Sequence, residues 1–483
     1  MTRTRADLQH RKTKIIATLG PASNTEEGIR KLIQAGVNVF RLNFSHGSHE
    51  EHLTVLKRIR KVAEELKVTI GTLQDLSGPK IRISVVESED VYLKDGSKIE
   101  LRRSNGNTSN ANCIYVESLD PSAVLKPGHQ VLLADGLIVM ETDRIEGDVA
   151  HCYVLKGARL RSRVGISFPD SIIRLPAITE KDLNDFRWGL KNEVDFVAIS
   201  FVKDVQDILI LRDVMKQESR SALLISKIER KVALENVHEI MDLSDGIMVA
   251  RGDLGLELPL EKVPNVQKKL IEQSNYRGIP VIVATQMLHS MVTSLRPTRA
   301  EVSDIATAVM SGADTLMLSE ETAIGDHPAA CVEYLSRIAH EAEQGFVFSE
   351  YKLRLRDSDR ATVPDAVAYA ACAAAVKVNA AAIIACTETG NTARLIAKYR
   401  PQQPLYGASV NAKTLRRLSL FWGIVPIALH STTSHQDEIQ AALESVQKRE
   451  GLLNGSRAIV TGGLSVNKPG STSVLEIREM NFR

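Results

Sequence analysis

The chain has 483 residues, 43% hydrophobic and 25% charged, and its 61 Lys and Arg residues against 59 Asp and Glu residues leave a net charge of +2. This composition is typical of a soluble globular protein of about three domains, and the lack of a basic excess together with only 4% aromatic residues argues against nucleic acid as a partner. The five cysteines lack metal-type spacing and no segment is apolar enough to span a membrane, so we expect a cytoplasmic protein with no membrane partner.

Short apolar runs alternate with helical patterns through the first 345 residues. Each run is typical of a buried parallel strand. The eight runs are KIIATL (14–19), VNVFRL (37–42), TIGTLQ (69–74), DFVAIS (195–200), ALLIS (222–226), GIMVA (246–250), PVIVA (280–284) and DTLML (314–318). Eight β/α units in about 250 residues predict a (β/α)8 TIM barrel, with an open doubly wound sheet as the alternative.

Residues 77–171 have a different pattern. Short alternating runs are separated by the turn pairs Asp-Gly, Pro-Gly and Glu-Gly, which predicts a small all-β domain, a β-barrel inserted after the third strand of the large barrel. Insertions at this position lie over the functional face of a barrel. The insertion is therefore expected to act as a lid.

Strand and helix patterns resume after a polar stretch that begins near residue 346. They predict a separate C-terminal α/β domain with an open sheet. The predicted domains are therefore a barrel formed by 1–76 and 172–345, a lid formed by 77–171, and a C-terminal domain formed by 346–483.

Polar residues follow seven of the eight predicted strands. The carboxyl ends of barrel strands meet at one face, which is where barrel enzymes carry their chemistry. The residues at these ends are Gly20 and Pro21; Arg41, Asn43, Ser45 and His46; Asp75; Lys227 and Glu229; Arg251, Gly252 and Asp253; Thr285 and Gln286; and Ser319 to Thr322. A single strand that ends in a charged residue is explained by contact with solvent, but polar ends on seven strands indicate a shared site.

The types of residue in this set indicate phosphoryl chemistry. Glu229 and Asp253 are oxygen ligands of the kind that Mg²⁺ prefers. Arg41 and Lys227 supply positive charge, on which phosphoryl transfer depends. A Ser-His-Asp grouping, a zinc-type histidine cluster and a GxxxxGK[ST] loop are all missing from the sequence, which makes hydrolase, zinc and P-loop chemistry weak alternatives.

Eight motifs in order carry a resemblance to a known family. They are TKIIATLGPAS, VNVFRLNFSHGSHEEH, DLSGPKIR, ISKIER, DGIMVARGDLGLELP, VIVATQML, RPTRAE and GADTLMLSEETAIG. Together they resemble pyruvate kinase, over nearly the whole chain. The resemblance implies transfer of the phosphoryl group of phosphoenolpyruvate to ADP, giving pyruvate and ATP at the last step of glycolysis.

The resemblance also implies roles for individual residues. Glu229 and Asp253 would bind Mg²⁺ or Mn²⁺. Lys227 would stabilise the phosphoryl group in transit, Arg41 would hold the substrate phosphate, and Thr285 would lie near the enolate carbon that is protonated. The backbone of Gly252 would contact the substrate, and the nucleotide side would be formed by Asn43, Phe44, Ser45, His46 and Arg82. His46 alone could equally be a loop histidine without a role.

Three segments depart from the family pattern. RVGISFPD (163–170) lacks a nucleotide-side lysine, SEETA has Glu320 where glycine is common, and DLSGPKIR has Lys80 where glutamate is common. In the family a K⁺ ion lies at this last position, beside residues matching Asn43, Ser45, Asp75 and the carbonyl of Leu76. The ammonium group of Lys80 can supply that charge and repel the ion, so we expect K⁺ not to be required.

The C-terminal domain offers a second candidate site, in the segment ACTETGNTARLIAKY. Hydroxyl and N–H groups between a strand and a helix form a phosphate cradle, although simple helix capping is the alternative. The residues are Thr387, Thr389, Gly390, Asn391 and Thr392, with the loop 461–473 expected to close over them. The resemblance implies activation by a phosphorylated sugar and a homotetramer. A metal-dependent barrel aldolase or lyase acting on a pyruvate enolate, and a metabolite-sensing protein without catalysis, remain alternative functions.

Overall fold

Eight parallel strands close into a barrel in the computed structural model, which describes residues 11–89, 91–171, 173, 176–345, 362–431, 434–463 and 472–480. The strands are β1 (Lys14–Thr18), β2 (Val39–Asn43), β3 (Gly71–Asp75), β10 (Phe196–Ile199), β11 (Leu223–Ile228), β12 (Gly246–Ala250), β13 (Val281–Ala284) and β14 (Thr315–Leu318). Their order around the barrel is β1-β14-β13-β12-β11-β10-β3-β2. The predicted barrel is confirmed and the open sheet is excluded.

Alternate residues of the barrel strands pack in two different layers. Ile15 and Ala17 belong to a core shared with the surrounding helices, whereas Ile16 belongs to the cluster that fills the barrel interior. Successive side chains of a strand point to opposite faces, so a strand with both faces covered needs an unbroken apolar run. This is why the eight strands can be identified from apolar runs alone.

Helices surround the barrel, and several begin at strong capping signals. Ser48 with Glu51, Thr179 with Asp182 and Thr298 with Glu301 form capping boxes in which each side chain bonds the other's backbone N–H. The barrel helices are α1 (Glu26–Ala35), α2 (His49–Glu65), α3 (Glu180–Lys191), α4 (Val205–Glu218), α5 (Lys231–Glu235), α6 (Val237–Leu243), α7 (Arg251–Glu257), α8 (Val263–Arg277), α9 (Arg299–Ser311), α10 (Glu320–Ala323) and α11 (Pro328–Gln344).

A curled, mixed sheet of six strands lies between β3 and α3 in the sequence. Its strands are β4 (Lys98–Arg103), β5 (Cys113–Val116), β6 (Gln130–Leu133), β7 (Ile138–Glu146), β8 (Val149–Lys156) and β9 (Ile166–Ser167), in the order β5-β4-β8-β7-β6-β9. Single bridges join Ile83 to Val116 and Arg82 to Gly165, so one short segment connects the two edges of the sheet. The sheet has a hydrophobic core of its own, as a small β-barrel requires.

The C-terminal part of the chain forms an open five-stranded sheet. Its strands are β15 (Ala382–Cys386), β16 (Leu405–Ser409), β17 (Ile424–Ala428), β18 (Arg457–Gly463) and β19 (Thr472–Glu479), in the order β17-β16-β15-β18-β19 with only β19 antiparallel. Its helices are α12 (Val363–Lys377), α13 (Asn391–Lys398), α14 (Ala412–Leu418) and α15 (His435–Glu450). The predicted α/β domain is confirmed, while residues 172 and 346, at which domains were predicted to begin, lie outside the described residues.

The C-terminal sheet domain packs against the amino-terminal end of the barrel. Arg400 is 2% exposed and donates to Asp314 Oδ1 (2.8 Å), and Arg416 donates to Asp195 Oδ1 (2.8 Å). Asp314 and Asp195 immediately precede β14 and β10. The opposite end of the barrel, where the strands finish, is therefore the end left for a site. No helix in the described part of the chain is long and apolar enough to cross a membrane.

Candidate active site

Lys227 lies at the centre of the polar cluster at the carboxyl end of the barrel. Its Nζ donates to Ser200 Oγ (2.7 Å) and lies 3.3 Å from Asp75 Oδ1 and 3.0 Å from Glu229 Oε1. Burial lowers the pKa of Lys227, but the charges of Asp75 and Glu229 outweigh burial and raise it above its ordinary value. The side chain therefore carries a fixed positive charge in a site largely shielded from water.

Asp75 connects Lys227 to Arg41. Arg41 Nε donates to Asp75 Oδ2 (2.7 Å) and its Nη1 donates to Thr18 Oγ1 (3.1 Å). Burial raises the pKa of Asp75, yet the charges of Lys227 and Arg41 lower it below its usual range. Asp75, the last residue of β3, thus stays ionised and holds two cations from β2 and β11, with their side chains directed into the same space.

Glu229 has one satisfied and one unsatisfied carboxylate oxygen. Oε2 accepts a hydrogen bond from the backbone N–H of Phe201 (2.6 Å), whereas Oε1 is buried without a hydrogen-bond partner, although the ammonium of Lys227 is near. Burial raises the pKa of Glu229 to about 7; Lys227 opposes this rise and the charge of Asp253 adds to it. A carboxylate pair with a buried oxygen that makes no hydrogen bond and faces only the ammonium of Lys227 fits a divalent cation.

Asp253, the other predicted metal ligand, lies in the first turn of α7. Its side chain is 28% exposed, in contrast to the buried Glu229. The described residues contain no group of three or more His, Cys, Asp or Glu side chains arranged for a metal. Two carboxylates completed by substrate oxygens and water are the arrangement that Mg²⁺ usually takes in proteins, so the donor set fits this ion.

Thr285 and Gly252 are joined by a hydrogen bond at the rim of the cluster. The backbone N–H of Gly252 donates to Thr285 Oγ1 (2.8 Å), and this hydroxyl donates to the carbonyl of Ala284 (2.6 Å). Thr285 has a left-handed backbone (φ 71°), which costs a β-branched residue free energy and is often found at functional sites. Arg251 is paired with Asp304 and bonded to the carbonyl of Thr285, so it supports this turn.

The last residue of β2 and the loop that follows it carry four of the predicted nucleotide-side residues. The side chains of Ser45 and His46 are exposed, and Asn43 Oδ1 accepts the N–H of Ser45 (3.1 Å). The ring of Phe44 is buried in the barrel core and stacks on His52 with ring centroids 4.0 Å apart. Asn43, Ser45 and His46 therefore present polar groups to solvent, whereas Phe44 anchors the loop.

Arg82 and Lys80 lie in the segment that connects the barrel to the lid sheet. Arg82 Nη1 donates to the carbonyl of Arg163 (3.0 Å), in the RVGISFPD segment. Lys80 Nζ lies 4.0 Å from carboxylate oxygens of both Asp135 and Asp253. Since Asp135 belongs to the lid and Asp253 to the barrel, Lys80 lies where the two meet, beside a candidate metal ligand.

The residues of the predicted monovalent-cation position are largely bonded to other protein groups. Both oxygens of Asp75 have cationic neighbours, and the carbonyl of Leu76 accepts the hydroxyl of Ser200 (2.6 Å). Glu320, in the second segment that departs from the family pattern, has a side chain that is 61% exposed and lies 3.7 Å from His289. None of the described ion pairs joins it to the Lys227 cluster.

Sequence reasoning missed Ser200 and Phe201. Ser200 bonds the ammonium of Lys227, and Phe201, with a left-handed backbone (φ 57°), donates its N–H to Glu229. Both follow β10, the one predicted strand to which no polar end was assigned. The signal was present, because DFVAIS itself ends in a serine.

The predicted effector cradle lies between β15 and α13. Gly390 caps α13 with a left-handed backbone (φ 90°) and donates its N–H to Thr387 Oγ1 (3.0 Å). The hydroxyl of Thr392 is buried and bonded to that of Thr472 (2.6 Å), and Asn391 accepts a hydrogen bond from Arg394. Thr389 is exposed. Most of the loop 461–473 that was predicted to close over the cradle, residues 464–471, lies outside the described residues.

Comparisons with known proteins agree with this architecture. The family model described as "Pyruvate kinase, barrel domain" matches residues 10–332, and "Pyruvate kinase, alpha/beta domain" matches residues 365–478. The chain is 41% identical to "Pyruvate kinase 2" of Synechocystis sp. over 97% of its own length and 79% of the relative's. It is also 38% identical to "Pyruvate kinase" of Staphylococcus epidermidis and 39% identical to that of Staphylococcus aureus, each over 97% of this chain and 80% of the relative.

Proposed function

The chain belongs to the pyruvate kinase family of phosphotransferases, and from that premise we propose that it transfers the phosphoryl group of phosphoenolpyruvate to ADP in a reaction that depends on Mg²⁺ or Mn²⁺. The observation that carries the proposal is Lys227, a buried ammonium held between Asp75 and Glu229 where the barrel strands end. The cytoplasm remains the expected compartment.

Lys227 and Arg41 provide the positive charge for the transferred group. Phosphoryl transfer needs positioning and electrostatic stabilisation more than covalent chemistry from the protein. Both side chains are oriented before substrate binds, because Asp75 and Ser200 hold them by hydrogen bonds. Fixed charges of this kind need little reorganisation when the phosphoryl group moves.

Glu229 and Asp253 are the proposed ligands of the divalent ion. The buried, unbonded Oε1 of Glu229 and its raised pKa, which burial causes, support this assignment. A bound ion would neutralise negative charge on the substrate and orient it. We assign the backbone of Gly252 to substrate binding, and the Thr285 hydroxyl to the neighbourhood of the enolate carbon, which takes up the proton that makes the methyl group of pyruvate.

We extend the proposal to the nucleotide and to K⁺. Asn43, Ser45, His46 and Arg82 form the nucleotide side, between the barrel and the lid formed by 77–171. K⁺ is not required, since Lys80 supplies positive charge where the family has glutamate, the oxygens of Asp75 already face Arg41 (2.7 Å) and Lys227 (3.3 Å), and the carbonyl of Leu76 is bonded to Ser200. Like charges at such distances disfavour a further cation.

The coupled production of ATP tests the catalytic proposal. The protein is incubated with phosphoenolpyruvate, ADP and Mg²⁺, with a large organic cation as the counterion, and ATP and pyruvate are measured. Stoichiometric formation of both products is expected. Folded protein that forms neither, with or without K⁺ and Mn²⁺, would overturn the proposal, and pyruvate consumed with an aldehyde would favour the aldolase alternative.

The C-terminal cradle is proposed to bind a phosphorylated sugar that activates the enzyme. The exposed Thr389 beside the left-handed Gly390 supports this assignment. Thr389→Val is expected to abolish the decrease in KM for phosphoenolpyruvate that the sugar causes, while basal turnover is kept. Thr54→Val, at an exposed threonine of α2, is the matched control. A panel of sugar phosphates without any effect on the unmodified enzyme would contradict the cradle.

Communication between the two sites requires two global states, which we assign to a homotetramer. Apolar side chains exposed on two helices support subunit contacts: Val302 and Met310 on α9, and Tyr369 and Val376 on α12. Light scattering of the purified protein tests this assembly, for which a mass of four chains is expected. A monomer at assay concentration would contradict it.

A further inference from the structure

A basic cleft lies on the outside of the barrel, far from the cluster around Lys227. It has a volume of about 640 Å³ and lies between α3, α4 and the first turn of α14. We call it the α4–α14 cleft. Ser221 lines it just before β11 begins, whereas Lys227 lies near the end of the same strand. The cleft and the candidate active site are therefore at opposite ends of the barrel.

Four cations and one carboxylate line the cleft: Arg212, Lys216, Arg220, Lys413 and Glu193. Arg212 is compensated by Asp245 (2.8 Å) and Lys216 by Asp213 (3.0 Å). Arg220 and Lys413 have no carboxylate within 4.0 Å among the described ion pairs. The cleft therefore has an excess of positive charge, which Glu193 offsets only in part.

Arg220 and Lys413 are held in place by neutral groups. Arg220 Nη1 donates to the carbonyls of Leu190 and Lys191 (both 3.1 Å) at the end of α3. Lys413 Nζ lies 3.4 Å from Ser221 Oγ. These contacts orient the two cations but do not neutralise them, because carbonyl and hydroxyl groups carry no formal charge.

Arg417 adds a third cation behind Ser221. Its Nη2 donates to the carbonyl (2.8 Å) and the hydroxyl (3.0 Å) of Ser221, and its Nε is buried without a hydrogen-bond partner. Burial and the charge of Arg417 lower the pKa of Lys413, and the carboxylates of Glu193 and Asp195 only partly oppose this. Gathering cations without counter-ions is unfavourable, and an anion in the cleft would relieve this cost.

We propose that the α4–α14 cleft binds a small organic phosphate, with its phosphate groups between Arg220 and Lys413. The volume lies within the range of about 300–1,000 Å³ that small-molecule sites occupy. Leu190 and Met215 form an apolar wall for the uncharged part of the ligand. Arg220 belongs to the barrel and Lys413 to the C-terminal domain, so the ligand bridges the two.

Helix α14 connects the α4–α14 cleft to the predicted effector cradle. Thr414 Oγ1 donates to the carbonyl of Glu388 (2.7 Å), and the side chain of Leu418 lies directly beside Gly390. Lys413 in the same helix lines the cleft. Occupation of the cleft is therefore expected to slow backbone hydrogen exchange in α14 as well as in the residues of α4 that line it.

Site-resolved hydrogen exchange with inorganic pyrophosphate as the probe tests this inference. The full enzyme is compared with and without millimolar pyrophosphate, in the absence of divalent ions and at constant ionic strength. Protection is expected in peptides covering 212–221 and 411–418. Pyrophosphate at the active site protects other peptides, and pyrophosphate in the cradle protects 411–418 but not 212–221, because only α14 contacts the cradle. Protection of 212–221 therefore distinguishes binding in the cleft.

Two variants separate a defined site from general surface charge. The double variant Arg220→Gln, Lys413→Gln is expected to lose the protection and to weaken pyrophosphate binding to the cleft about tenfold or more, because charge-assisted hydrogen bonds are lost. Lys216→Gln, whose ammonium is exposed and paired with Asp213, is the matched control and should change binding by about twofold at most. Basal turnover serves as the check that each variant folds.

Three outcomes of the pyrophosphate experiments, and one of a salt control, would overturn the proposal. The first is the absence of protection in these peptides at millimolar pyrophosphate. The second is equal protection in the double variant, and the third is an equal loss in Lys216→Gln. If sodium chloride at the same ionic strength protects these peptides equally, the slower exchange results from general screening of surface charge. The cleft would then bind no ligand.

Discussion

Replacing Ser200 by alanine tests how Lys227 is positioned. The hydroxyl of Ser200 accepts a hydrogen bond from Lys227 Nζ (2.7 Å) and donates one to the carbonyl of Leu76 (2.6 Å). Alanine removes both bonds without adding volume. Lys227 keeps its neighbours Asp75 (3.3 Å) and Glu229 (3.0 Å), so its charge remains while one of its three contacts is lost.

The expected size of the effect follows from the type of bond. A hydrogen bond to a charged group contributes about 1.5–3 kcal/mol, which corresponds to about 10- to 150-fold in rate. The two carboxylates still restrain the ammonium, so we expect the lower end, about tenfold in kcat, with KM for phosphoenolpyruvate changed less. The unpaired, buried carbonyl of Leu76 should also lower the free energy of unfolding by about 1–3 kcal/mol.

Ser226→Ala is the matched control for this variant. Ser226 is also buried, lies next to Lys227 in β11, and bonds Ser244 (2.7 Å) on the other face of the strand. Steady-state kinetics and thermal unfolding are measured for both variants. A decrease in kcat for Ser200→Ala no larger than that for Ser226→Ala would show that Lys227 does not depend on Ser200, and the reasoning would fail.

Three further variants test the rest of the site. Lys227→Met should reduce phosphoryl transfer by about 10²-fold or more, measured as ATP formation, while enolisation of pyruvate, followed by exchange of its methyl protons, partly survives; equal loss of both reactions would mean a structural role. Asp253→Asn and Glu229→Gln should each lower kcat by about 10²- to 10³-fold and weaken Mn²⁺ binding, measured by electron paramagnetic resonance; unchanged Mn²⁺ affinity would contradict the ligand assignment. Lys80→Glu should lose activity without K⁺ and regain part of it when K⁺ is titrated in, whereas a tenfold stimulation of the unmodified enzyme by K⁺ would contradict our expectation for Lys80.

The barrel could be predicted because burial on both faces leaves a strong trace in sequence. A strand such as GIMVA is buried at every position, and a largely apolar run is the usual sequence of such a strand. The pairing of Lys227 and Glu229 was also accessible, since residues two apart on an extended strand point to the same side. Charges at this spacing after an apolar run therefore locate the site.

Other features depend on contacts between distant segments and leave no local trace. Thr392 looks like part of an open cradle in the sequence, but its hydroxyl is bonded to Thr472, 80 residues further on. Oε2 of Glu229 accepts a hydrogen bond from Phe201, whose left-handed backbone is unusual for a bulky residue. Periodicity and residue type predict which elements form, whereas these details require their packing.

The apolar core inside the barrel continues into the C-terminal domain, and this affects how the protein unfolds when it is heated. Ile16, Phe196 and Met317 inside the barrel belong to the same apolar cluster as Ile383 and Ile459 of the C-terminal sheet, whereas the lid has a cluster of its own. Cutting the chain between the barrel and the C-terminal sheet would expose the floor of the barrel to water. Barrel and C-terminal sheet should therefore share one cooperative calorimetric transition, while the lid can unfold separately and is the module that could be exchanged between relatives.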